Sequence, residues 1–268
     1  VNLPVTNNTL ANVVKFVIIG ENDAGNFNNV KTDNENHLQV NVANPKSAYD
    51  ELPVAELTPI SQLTFPYNIN TSLVNLPTPT SLGFVSQSNN MALISTGTSS
   101  LSSTAAIESK QTITYRAGQG ALTRFSCLFT DNVPNATGSV QGIGVGDAND
   151  GYGFALIGNT LNISYRTNGA VDTPPSNQTN IPQSSWNTDT MDGTGPSGMT
   201  LDITKGNVYQ VSYGSGFGCL NFSIENASTG DMVLVHVLHI SNLRTTPSAY
   251  NPTFPLRGEV YKESADTN

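Results

Sequence analysis

The amino-acid sequence predicts an all-β protein: a jelly-roll or lectin-like β-sandwich, preceded by a small N-terminal β-unit and a proline-rich extended connector. Three observations predict it. From residue 82 onward, short runs rich in Val, Ile, Thr, Tyr and Phe alternate with turn residues at a spacing of about 8–12 residues, the rhythm of a sandwich or barrel. No segment keeps an apolar repeat of 3.6 residues over three helical turns. Charged residues make up only 12% of the chain, against about 25% in an average domain. Asn, Thr, Ser and Gly take their place, as they do where neutral polar strands face water and small residues build the turns.

Residues 1–44 read as a small N-terminal β attachment unit. Residues 13–19 (VVKFVII) form an apolar run of strand length, 20–29 are rich in turn formers, and 38–42 (LQVNV) alternate with period two as a second strand. A pair of short strands is marginal alone in water, so the unit is expected to pack on a neighbour or another subunit. Residues 45–80 change texture. Pro45, Pro53, Pro59, Pro66, Pro77 and Pro79 recur through them, and proline cannot donate to a β-ladder. Leu57, Ile60, Leu63, Phe65, Tyr67 and Ile69 make the stretch too apolar for a flexible linker. It reads as an extended strap laid against a surface.

Residues 81–268 hold the sandwich. Strands are expected at 82–86, 91–95, 111–116, 121–130, 140–145, 152–157, 160–166, 207–213, 217–224, 232–240 and 256–261. The cleanest is 160–166, where Leu161, Ile163 and Tyr165 face one way and Asn162, Ser164 and Arg166 the other. Segment 232–240 is apolar on both faces and reads as a central strand.

The charge balance excludes whole classes of partner. Eleven Lys and Arg against twenty Asp and Glu give a net charge of −9 with no basic cluster, so neither nucleic acid nor an anionic membrane surface is an expected partner. No run reaches the roughly 20 apolar residues of a membrane-spanning helix, and the N-terminus shows no basic stretch followed by an apolar one, the mark of a signal peptide. Two cysteines make no disulfide framework. Cys127 shares a face with Phe125 and Phe129, whereas Cys219 lies opposite Leu220, Phe222 and Ile224. The sulfurs then point differently and free thiols are expected, with a disulfide left open.

No motif commits the chain to catalysis. His236 and His239 are three apart, and on a strand such residues point to opposite faces, so a shared metal is not expected and His236 reads as a hydrogen-bonded core histidine. Residues 147–151 look superficially like a calcium loop, but only Asp147 and Asn149 fit the pattern; a polar turn between two strands is the expectation. Glu108 and Glu259 stand isolated in sequence, and no pair of acids is placed for sugar hydrolysis. No nucleophile elbow or phosphate loop is present. The chain is therefore expected to be no enzyme and to carry no metal or other cofactor. Sequons occur at Asn7, Asn70, Asn135, Asn162, Asn177, Asn221 and Asn226, with Asn162 and Asn221 on the polar faces of their strands.

The long stretch from Gln183 to Gly218 holds the only tryptophan, Trp186, and a loop with a dense run of turn formers at 192–198 before it passes into a strand-like segment at 208–213. Met191, Met199, Leu201 and Ile203 are too much apolar surface for a disordered segment, so the loop is expected to be ordered and pinned to the sandwich. Trp186, Tyr209 and Tyr213 are the candidate aromatic platform for a glycan, against the alternative of a core plug.

Several blocks together carry a resemblance: Thr58 to Asn70, Tyr115 to Gly120, Gly142 to Asp147 leading into Asp150 to Phe154, the central run from Trp186 to Tyr209, and Asn251 to Arg257. Over about residues 58–260 the chain resembles uncharacterised virion surface or fibre-type β-proteins of large double-stranded DNA viruses of algae and protists. The resemblance implies a non-enzymatic structural protein on the virion surface, as a spike, fibre or capsomer-capping component. Its expected partners are two further copies in a homotrimer, other capsid proteins and a host surface glycan. Two alternatives stand beside it, a carbohydrate-binding lectin-like module and a jelly-roll glycoside hydrolase.

Overall fold

The computed structural model describes residues 19–21, 27–29, 57–98, 102–130, 139–168 and 178–262. The chain divides into two compact units, Val1–Pro45 and Lys46–Asn268. In the first, β1 (Ile19–Glu21) pairs antiparallel with β2 (Phe27–Asn29), Ile19 opposite Asn29 and Glu21 opposite Phe27. The stretch expected as a connection, 20–29, therefore supplies β2 and part of β1. The strand expected at 38–42, and 13–18 of the first one, lie outside the described residues.

The second unit is built from β3 (Val74–Asn75), β4 (Phe84–Ser88), β5 (Met91–Ser95), β6 (Ser103–Ile113), β7 (Gly120–Cys127), β8 (Ser139–Gly146), β9 (Gly151–Ile157), β10 (Thr160–Arg166), β11 (Gln178–Pro182), β12 (Asn207–Gly214), β13 (Leu220–Glu225), β14 (Met232–Leu238) and β15 (Phe254–Lys262). It is an antiparallel β-sandwich. A seven-stranded sheet runs β11-β10-β9-β8-β15-β6-β3 and faces a four-stranded sheet, β14-β13-β12-β7. The β4–β5 hairpin forms a separate two-stranded sheet that packs on β6 and β15, turned by Asn89 and Asn90 at φ 51° and 62°. Two consecutive left-handed residues make the turn type whose twist matches that of the strands, and Asn tolerates the strain.

The two inner faces meet in one aromatic cluster. Phe154 of β9 packs its ring 4.9 Å from that of Tyr209, 5.7 Å from Phe222 and 6.3 Å from Trp186. Tyr152, two residues back on the same face, lies edge-on to Tyr213 and Phe254. The period-two alternation of β9, β10, β12 and β13 places these residues inward without further instruction.

Three expectations change. The strand expected at 111–116 is β6, which runs earlier, over Ser103–Ile113. Its Ala, Ser and Glu residues are weak strand formers, and pairing with β15 on one side and β3 on the other decides the matter. Segment 232–240 is not central but the edge strand β14. The loop at Asn187–Asp189 covers its free edge. The amides of Thr188 and Asp189 donate to the Val235 carbonyl at 3.1 Å, and the Asn187 side chain both donates to the Val237 carbonyl and accepts from its N–H. Finally, β3 and β11 emerge from segments with no strand pattern of their own.

Candidate functional site

The expected aromatic platform is corrected by burial. Trp186 is 5% exposed, Tyr209 0% and Tyr213 2%. All three rings belong to the core between the sheets. The Trp186 indole N–H donates to the Ile181 carbonyl at 3.2 Å, and burial pushes both tyrosine hydroxyls well above their ordinary pKa. No ring of the three is open to a ligand. The loop around Trp186 is the ordered element its apolar residues foretold. Met191 is fully buried and Leu201 nearly so. The buried Asp189 carboxylate accepts from the amides of Met191 and Ser197, both at 2.8 Å, and pins the two limbs of the loop together.

The remaining candidates fall into structural roles. His236 is buried and its Nδ1 accepts from the Asn187 amide at 3.1 Å, while His239 is exposed, with Nδ1 3.6 Å from the Cys219 sulfur. No cluster of three metal-ligating side chains stands together among the described residues. Cys127 and Cys219 are free thiols, and burial pushes the Cys127 thiol up to about 12, which removes it as a nucleophile. Asn162, expected on an open face, is buried and donates to the Thr160 carbonyl at 2.7 Å. The face of the seven-stranded sheet that carries it is itself covered.

That face carries a ladder of charge. Glu108 and Glu259 are not isolated: Arg257 bridges them, and Glu259 continues to Arg166. Arg257 Nε lies 2.8 Å from Glu259 Oε2, and the Arg166 guanidinium also donates to the Asp147 carbonyl at 3.2 Å. The side chains are only 12–19% exposed. Register explains the contacts. Arg257 lies opposite Glu108, and Glu259 lies opposite Gly142, whose missing side chain leaves room for the carboxylate. The neighbouring Gly144 and Gly153 approach so closely that a Cβ on either would sit 2.2 Å from a carbonyl oxygen across the pair. Burial alone would raise the Glu259 pKa, but Arg166 and Arg257 outweigh it and hold the carboxyl below its ordinary value. Each charge of the ladder has its counter-charge.

The open polar cleft lies at the end of β10 and β11. Tyr165, Thr167, Asn168, Gln178, Thr179, Arg244, Thr246 and Tyr250 line it. The Tyr250 ring is 55% exposed. The Arg244 guanidinium stacks on the Tyr165 ring, 5.0 Å from its centroid, and donates to its hydroxyl. Both banks are tied to one buried carboxylate. Asp150, 2% exposed, accepts from the amides of Asn168 at 2.8 Å, Tyr250 at 3.1 Å and Asn251 at 3.2 Å. Thr167 adds a bond from its hydroxyl to the Ser248 carbonyl at 2.8 Å. Asp150 is thus the load under the cleft, and Asp147 serves the turn that presents it, accepting from the amides of Asn149 and Asp150. The turn expectation for 147–151 describes this arrangement.

Sequence reasoning missed Arg244 and Tyr250. Their signal was weak but present: both lie in a run of turn formers, 241–252, between the strands expected at 232–240 and 256–261.

The chain is similar in structure to the legume lectin-like domain from Entamoeba histolytica, at 13% identity and a TM-score of 0.41, over 79% of this chain and 100% of that domain. It is also similar to the binding domain of Botulinum Neurotoxin DC in complex with SialylT, at 12% identity and a TM-score of 0.31, over 71% of this chain and 41% of that one. No family model and no curated protein sequence matches it.

Proposed function

We propose that the chain is a carbohydrate-binding module without enzymatic activity, and that the Tyr250 cleft is its glycan site. One observation carries the reading: a half-open tyrosine ring stands in a cleft otherwise lined by hydroxyl, amide and guanidinium groups. A sugar ring offers an apolar C–H face and a rim of hydroxyls that each give and take hydrogen bonds. An exposed aromatic suits the first, and Thr, Asn, Gln and Arg side chains suit the second. The banks are held by Asp150 through main-chain bonds, so little ordering cost remains at binding. The test is a glycan array with the purified protein and with Tyr250→Ala. Wild-type binding should weaken by about 10-fold or more in the variant, while the thermal unfolding midpoint stays put because the ring is half exposed. A wild type that binds no glycan, or a variant that binds as well, removes the reading.

A structural role on a particle exterior is the second reading, favoured by one feature. Phe84, Met91 and Leu93 lie on one face of the β4–β5 hairpin and are all exposed, and apolar residues grouped in this way mark protein contacts. Self-association into a homotrimer, measured by sedimentation and lost in Phe84→Ser with Leu93→Ser, supports it. A monomer at all concentrations counts against it.

A further inference from the structure

We infer that the ligand of the Tyr250 cleft is an acidic sugar, one bearing a carboxylate, and that Arg244 reads that group. The inference rests on the carbohydrate reading above and narrows it.

Among the described residues Arg244 is the one charged side chain of the cleft lining, and none of its described neighbours there is acidic. The contrast with the ladder is informative. Arg166 and Arg257 are each matched to a carboxylate, whereas among the described residues no carboxylate pairs with Arg244. Its contact is with a neutral group, the ring and hydroxyl of Tyr165. That contact fixes the plane of the guanidinium and leaves its charge uncompensated. The carboxylate that builds the banks, Asp150, is buried, and its oxygens are engaged by three main-chain amides. Arg244 is partly exposed in the cleft, and a planar guanidinium presents parallel N–H donors at the spacing of two carboxylate oxygens. Tyr250 stands beside it to take the sugar ring.

The test uses the full chain and a panel of oligosaccharides ending in a uronic or sialic acid, each beside its carboxyl-reduced counterpart and a sulfated neutral sugar. Wild type should bind the acid forms about 10-fold or more tightly than the reduced forms, with the gap narrowing as salt rises. Arg244→Gln should erase the gap, because the acid forms lose the guanidinium–carboxylate contact and fall to the level of the reduced forms. Arg244→Lys, which keeps the charge but loses the fork, should fall between them, and it serves if the glutamine variant does not fold. Tyr250→Ala should weaken both forms. Equal binding of acid and reduced forms, with Tyr250→Ala still damaging, overturns the acidic ligand and leaves the carbohydrate reading standing. Preference for the sulfated sugar alone also overturns it. Absence of binding to every sugar overturns both.

Discussion

His236 shows how one buried side chain sets a pH limit. Burial, and next the charge of His239, hold its imidazole below the ordinary value of 6.5. The folded ring stays neutral and accepts from the Asn187 amide; the unfolded ring takes up a proton as pH falls through 6.5. The unfolded state then binds more protons, so stability is whole above that value and declines below it, toward the lower folded pKa. The urea midpoint should therefore be lower at about pH 5.5 than at about pH 7.5, and the drop should shrink in His236→Gln. An equal drop in both proteins would assign the effect elsewhere. The sequence marked His236 as a core histidine, because residues three apart on a strand cannot share a ligand. It could not show Asn187 as the partner, which lies 49 positions away.

At the scale of elements, the sandwich manages its edges with loops. β14 would offer a free ladder to another chain, a hazard for any apolar edge strand. The Asn187 side chain caps it in both directions, to the Val237 carbonyl and N–H. Asn187→Ala should cost about 1 kcal/mol in urea unfolding and raise the tendency to aggregate, seen by light scattering on warming. If neither changes, the edge is protected by the main-chain bonds of Thr188 and Asp189 alone. The elements themselves were largely legible. Residues 160–166 alternate cleanly and form β10 with the same bounds. β6 was read late and short, since alanine and serine carry no strand signal, and its partners β15 and β3 lie far off in sequence.

Across the whole molecule, the charge ladder ties together strands from distant parts of the chain. Glu108 comes from β6, Arg166 from β10, and Arg257 and Glu259 from β15. Glu259→Gln leaves two guanidiniums without their shared partner in a covered site, and breaking a buried pair in this way costs about 3–5 kcal/mol. A thermal melt at neutral pH should show the loss. Because the two arginines hold the Glu259 carboxyl below its ordinary 4.5, its contribution is whole above that value and disappears as pH falls through the folded pKa. The difference between wild type and Glu259→Gln should therefore shrink in acid; a constant difference would show a packing effect instead. By itself the sequence determined the all-β class, most strand positions and the ordered loop at Trp186, because alternation, turn residues and apolar content act over a few neighbours. Only the tertiary structure decided which faces are buried and which residues meet. It put Trp186, Tyr209 and Tyr213 inside, joined Glu108 to Glu259, and brought Arg244 and Tyr250 against Tyr165 and Asn168. Those meetings depend on strand order and register between segments as far as 149 residues apart, as Glu108 and Arg257 are, for which local patterns in a single chain hold no signal.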